Sequence, residues 1–200
     1  MITKVESARV AAERDNAARV ADFMVGLFSV NLAEKGRYSE AVQLVLHALD
    51  MKRQTAAPPL EMGSTLVNIA EFYLLQGDAQ KAEPMVRAGL ALYRKYLNPQ
   101  SIPVLGAENV YGRCLVGVHR YGEAERVLVR LFPIIRKNYG DEDALESARA
   151  LMTLYEETGR SEKAAEYRKL VERDTQLTLG ISNSPIISHS DLSNCRGGGN

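Results

Sequence analysis

The chain has no surplus of charge of either sign. Its 200 residues carry 25 Lys and Arg against 25 Asp and Glu. With no basic excess to displace counterions along a phosphate backbone, nucleic acid is not an expected partner. Cysteine is scarce as well: Cys114 sits in a helical pattern and Cys195 in a polar C-terminal stretch. Two thiols so placed are no disulfide framework, and the expected setting is reducing and cytoplasmic. There is no run of eighteen apolar residues and no charged, apolar, small-residue order at the N-terminus, so neither a membrane span nor an export signal is expected. The alternation of Val, Ile and Thr that marks strands is missing too, and almost everything to about residue 174 reads as helix.

Catalytic signatures are equally wanting. No phosphate-binding loop, dinucleotide glycine motif, kinase catalytic loop or DFG triplet occurs. His47, His119 and His189 have no Cys or carboxylate at metal-ligand spacing, and neither a metal nor a cofactor is expected. Cys114 reads as a small core hydrophobe and Cys195 as an exposed spectator. The carboxylates of Asp141 to Glu146 and around Tyr155 to Glu157 suit a helix N-terminus and a solvated face better than acid-base work, which needs perturbed groups in a closed cleft. The chain is therefore not read as an enzyme.

What is present is an echo. GRYSEA at Gly36 to Ala41 returns as HRYGEA at His119 to Ala124, and aligning on the final Ala adds GDAQKA at Ala82 and GRSEKA at Ala164. The four alanines are 41, 42 and 40 residues apart. A fixed period of this length is the signature of a solenoid, whose units bury their apolar faces by stacking. Upstream of the anchors, Leu66, Ile69, Ala70 and Tyr73, then Ala148, Leu151, Met152 and Tyr155, recur at helical spacing. Gly36, Gly77 and Gly159 suit the left-handed residue that closes a helix, and His119 takes the same place at a cost of about 1 kcal/mol. Each unit is thus a helical hairpin, its anchor Ala lying where a larger side chain would part the backbones. Pro84 and Pro133 fall within second helices and are read as kinks, because the periodic pattern continues through both.

These residues resemble the tetratricopeptide repeat family. Its small, aromatic and Gly/Ala positions are matched by Ala70, Tyr73, Gly77 and Ala82, by Gly112, Tyr121 and Ala124, and by Tyr155, Gly159 and Ala164. The period exceeds the usual length of about 34 residues. With AEPMVRAGLALYRKYLNP at Ala82 to Pro99, it is similar to the kinesin-light-chain-like subclass. The resemblance implies an all-α, right-handed α-α superhelix of about four hairpins over residues 22–174, in units 22–53, 62–97, 103–139 and 142–174. Unit one departs from the pattern at Phe28 and Ser29, and its connector Met51 to Met62 reads as irregular. Residues 1–21 extend the first helix, in a stretch that also resembles the lead into the C-terminal repeats of bacterial serine/threonine kinases. The last helix, charged on one side, ends the array, and 175–200 reads as a flexible tail.

In that family the first helix of each unit lines the inner wall. The resemblance places Val67, Asn68, Glu71 and Leu75, then Asn109, Arg113 and Val116, then Glu146, Arg149, Thr153 and Glu156 along a groove. Asn68, Glu71, Asn109, Arg113, Arg149, Thr153 and Glu156 are the candidate partner-binding residues. The asparagines offer a donor and an acceptor to a peptide backbone, and Arg113 and Arg149, one unit apart, are suited to a carboxylate. The implied function is a non-catalytic scaffold for a protein or peptide. The alternatives are the regulatory region of a signalling kinase and self-association through the N-terminal helix.

Overpacking at the anchor costs roughly 1 to 3 kcal/mol. Ala82→Leu and Ala124→Leu are each expected to lower the melting temperature by several degrees in a thermal scan; an unchanged transition would reject the register.

Overall fold

A computed structural model describes residues 5, 6, 9 and 23–182. Among them are helices and turns and no strand. After residues 23–34 (α1) come Tyr38–Gln54 (α2), Pro59–Leu75 (α3), Ala79–Tyr96 (α4), Ile102–Gly117 (α5), Tyr121–Tyr139 (α6), Asp141–Glu157 (α7) and Ser161–Ser182 (α8). They pair into four hairpins that stack as a right-handed α-α superhelix.

The sequence echo is a turn made four times over. The positive-φ residue is Gly36, Gly77, His119 or Gly159, at φ 70°, 82°, 61° and 71°. Its amide donates to the carbonyl three residues back and the next amide to the carbonyl five back, as in Gly36 to Ala33 at 2.9 Å and Arg37 to Leu32 at 2.8 Å. The pair satisfies carbonyls that the ending helix would otherwise orphan. The Arg and Glu of the echoed motif then grip each other across the first turn of the next helix. Arg37 forks onto Glu40 through two bonds of 2.6 Å, and Arg120 onto Glu123 through two of 2.8 Å. At the second junction Asp78 replaces Arg and caps α4 instead, accepting from the Lys81 amide at 3.1 Å.

The connector of the first unit corrects the sequence reading. Most of Met51 to Met62 is helical, with α2 reaching Gln54 and α3 starting at Pro59. The same turn closes it, built on Ala56 at φ 50°, a residue that gives no warning of that conformation. Pro59 fits the first helical position, where no amide donor is needed. At the other end α8 runs to Ser182, so residues 175–182 are helix and not tail. No Pro or Gly interrupts that stretch before Gly180. Helices α4 and α6 continue through Pro84 and Pro133. The extension over residues 1–21 lies largely outside the described residues, of which Val5, Glu6 and Arg9 are helical and exposed. The end of the tail, 183–200, with His189 and Cys195, lies outside them entirely.

Each anchor Ala is the fourth residue of its unit's second helix, and all four are solvent-inaccessible to within 1%. The hydrophobic interior is continuous because half-buried aromatics belong to two clusters at once. Tyr73 joins the α2–α3 cluster to the α3–α5 cluster, and Tyr111 joins that one to the cluster of α5–α8. Besides its chain neighbours, α3 packs on α5 and α5 on α7, whereas α4, α6 and α8 have no comparable mutual contact. The odd helices therefore form the tight inner layer and the even ones the splayed outer layer.

A buried carboxylate pins the middle of the stack. Glu108 on α5 is bonded by Arg94 of α4 at 2.8 Å and by Arg130 of α6. Burial alone would raise its pKa, but hydrogen bonds from the two guanidiniums outweigh that and hold it below the ordinary 4.5.

Glycines draw α3 and α4 together: a Cβ on Gly89 would lie 2.9 Å from both the Gly63 carbonyl oxygen and Val67 Cγ2. Gly89→Ala is expected to destabilise by about 1 to 3 kcal/mol in denaturant titration. Gly106→Ala on α5, with no neighbour within 4 Å of its Cβ, is expected to stabilise by about 0.5 to 1 kcal/mol. Equal shifts of one sign would refute the close crossing. The lowered pKa of Glu108 means that its stabilisation is present above pH 4.5 and is lost as pH falls through the depressed folded value. The melting temperature of Glu108→Gln should fall less steeply in acid than that of the wild type.

Candidate protein-binding groove

The inner helices α3, α5 and α7 border a groove of about 490 Å³, open to solvent. Its walls are mostly hydrocarbon: Val67 on α3, Ile102, Pro103, Ala107 and Val110 on α5, and Tyr93 reaching in from α4. Ile102 is 65% exposed, which is costly for a large aliphatic side chain without a partner. Gly106 leaves an indentation in the wall.

Four of the seven sequence candidates meet there, Asn68, Glu71, Asn109 and Arg113, together with Glu146. The reason is the repeat itself. Asn68 and Asn109 are 41 residues apart, and Glu71 and Arg113 are 42 apart, so stacking sets each pair side by side on adjacent inner helices. Asn68 is exposed and makes no side-chain hydrogen bond among the described residues. Asn109 accepts from the buried Ser147 hydroxyl at 2.7 Å, which fixes its amide and leaves the amide nitrogen without a protein partner among the described residues.

Arg113 is placed differently from what its charge suggests. Its side chain is 10% exposed, and its guanidinium donates to Glu71 of the preceding unit at 2.5 Å and to Glu146 of the following one at 3.1 Å. Arg149 donates to the other oxygen of Glu146 at 2.9 Å. One chain of alternating charge thus crosses three inner helices, Glu71, Arg113, Glu146, Arg149. It is neutral overall, and both guanidiniums already hold carboxylates.

The remaining candidates do not line the groove. Thr153 and Glu156 are exposed farther along α7, where Glu156 pairs with Arg168 of α8. Val116, expected to face the groove, is buried against α7 in the cluster of Leu115, Leu151 and Leu154. It shares the face of Asn109 and Arg113, at i, i+4 and i+7, but lies farther along α5, where α7 packs over it. Sequence reasoning missed Ile102, Pro103 and Gly106, which lie in the first two turns of α5 and belong to no repeated pattern. The one available signal was an Ile at the start of a helix, outside the stripe that packs.

Other reactive groups are accounted for by structure. Burial pushes the Cys114 thiol up to about 12, so no thiolate forms near neutrality. Tyr155 is also pushed up to about 12, first by burial and then by its hydrogen bond to Glu125. Glu125 in turn receives two bonds of 2.7 Å from Arg160. Asp141 begins α7 and is paired with Arg136 at 2.5 Å and Arg173 at 2.6 Å. His47 is exposed, and the Nδ1 of His119 lies 2.6 Å from the Tyr121 hydroxyl. Among the described residues no group of three or more His, Cys, Asp or Glu is arranged for a metal ion, and no helix is long and apolar enough to cross a membrane.

Comparison with known proteins agrees with this architecture. Residues 61–130 match the tetratricopeptide repeat family. No curated protein matches the sequence. Among solved structures, BtubC (BKLC) from P. vanneervenii is similar with a TM-score of 0.60 at 17% identity, over 84% of this chain and 67% of that one. Nearly identical TPR-like repeats of a Podosopora anserina protein assigned to the kinesin light chains are similar with a TM-score of 0.52 at 18% identity, over 86% of this chain and 93% of theirs. A substituted form of the same repeats gives 0.54 at 18% identity, over 87% and 93%. Residues 61–130 carry the tetratricopeptide-repeat match, and the hairpin stack as a whole is similar in fold to the kinesin-light-chain-like repeat solenoids.

Proposed function

We propose that the chain is a non-catalytic interaction module that holds a peptide segment of a partner protein in the groove between α3, α5 and α7. Tetratricopeptide repeats generally mediate protein–protein interaction. The observation that carries the finer reading is the combination in one open groove of an exposed apolar wall at Ile102 and two asparagines 41 residues apart on its floor. An apolar side chain of the ligand packs on Ile102, Pro103 and Val67. The amides of Asn68 and Asn109 bond its backbone, which gives register without demanding a sequence.

In this reading Arg113 and Arg149 act differently from Asn68 and Asn109. Held by Glu71 and Glu146, Arg113 keeps three inner helices at a fixed spacing and so positions the asparagines. A longer ligand continues along α7 past Arg149 toward Thr153 and Glu156. The absence of a net charge in the ion-paired chain favours a segment that is apolar and uncharged where it crosses Arg113.

A display selection from a random peptide library tests this. Peptides enriched on the wild type are expected to lose at least about 10-fold in affinity, or 1.4 kcal/mol, against Asn68→Ala/Asn109→Ala. They should lose more against Gly106→Phe, which fills the indentation where nothing obstructs a side chain. Enriched peptides that bind both variants as tightly as the wild type would overturn the groove assignment.

A further inference from the structure

A stack of hairpins has two end faces, and in this molecule they are unlike. Among the described residues the C-terminal face is polar, as suits the closing helix of a stack. Helix α8 exposes Glu162, Lys163, Glu166, Lys169, Glu172 and Arg173. The N-terminal face is the reverse. Phe23, Met24, Leu27, Phe28 and Val30 of α1 are 71%, 47%, 58%, 54% and 50% exposed. Phe23, Leu27 and Val30 follow one another at i, i+4 and i+7, and Met24 and Phe28 flank them at i and i+4, so the five form one stripe. The opposite side of the helix is spoken for, because Val25, Leu32 and Ala33 pack into the core with α2 and α3. No charged residue occurs from Phe23 through Ala33.

We propose that this face binds the same face of a second copy, α1 against α1 across a two-fold axis. Three observations favour that occupant. The stripe exposes on the order of 500 Å² of apolar side chain, comparable to the largest patches on monomers and approaching the roughly 800 Å² per partner of a stable interface. It carries no charge, so two identical faces meet without repulsion and without leaving an ion buried. Head-to-tail stacking, the other way one chain could cover its own end, would press the stripe onto the charged side chains of α8 and strip them of water. Only the face-to-face arrangement matches hydrocarbon to hydrocarbon, and it closes at two subunits, whereas head-to-tail contacts propagate. None of the five stripe residues lines the groove, so the dimer presents two grooves and engages a partner bearing two segments with avidity.

Sedimentation equilibrium of the full chain, from micromolar to hundred-micromolar concentration, tests the proposal. The expected mass is twice that of the chain. Phe23→Glu/Leu27→Glu should raise the dimer dissociation constant at least about 100-fold, with the circular dichroism spectrum of the wild type retained because both side chains are exposed. Mixing it with Phe23→Lys/Leu27→Lys should restore a dimer that neither variant forms alone, a result that only direct apposition of the two faces gives. The groove variant Asn68→Ala/Asn109→Ala should dimerise as the wild type does, whatever becomes of its peptide binding. A monomeric wild type, the outcome if residues 1–22 or a different protein cover the stripe, would overturn the proposal. So would a dimer indifferent to the glutamates, or assemblies that grow without limit.

Discussion

The structure depends on how closely the two helices of a unit approach. In each hairpin the fourth residue of the second helix is an inaccessible Ala, so the backbones meet there with nothing larger than a methyl group between them. In the second hairpin Gly63 and Gly89 repeat that proximity farther along, and between units Gly117 of α5 meets Ala79 of α4. Such contacts fix geometry by excluded volume, which is steep, and leave the larger side chains to be buried between units. A single hairpin of about forty residues has little interior of its own. The solenoid follows because only a neighbour can cover what each unit leaves bare.

Polar pairs then set how successive units sit on one another. Glu108 ties α5 to α4 and α6, the chain from Glu71 to Arg149 ties α3, α5 and α7, and Glu125 with Arg160 ties the start of α6 to the last turn. Exposed pairs contribute little stability individually. Their value is in direction, since guanidinium and carboxylate bond well in few orientations, whereas hydrocarbon packing tolerates sliding. One such chain runs along the groove, so the contacts that hold its walls apart also arrange the groups on its floor. Fold and candidate site therefore share residues, and Arg113 belongs to both.

The two ends of the stack show the same rule with opposite outcomes. At the C-terminal end the described outward side chains of α8 are charged, which suits contact with water. At the N-terminal end α1 repeats the apolar pattern of an internal helix on a side that no described helix occupies. That uncovered apolar side, among the described residues, is what the proposed two-fold contact rests on.

Much of this was legible in the chain because it is repetitive. The anchor alanines, the left-handed turn residues with His119 standing in for Gly, the all-helical class and the recurrence of Asn at 68 and 109 on first helices are local or periodic features, and one repeat predicts the next. Ala56 in a left-handed turn, the helical reach of α8 to Ser182 and the burial of Val116 were not legible, since each turns on context that no period encodes. The order of residues dictates which positions are small, which are apolar and at what interval, and hence that helical hairpins must stack. It took the assembled stack to show that Arg113 is consumed by two carboxylates from neighbouring units and that Ile102 stands bare beside the asparagines. Those facts depend on distances between residues some forty positions apart, which the packing of whole helices sets and no local pattern carries.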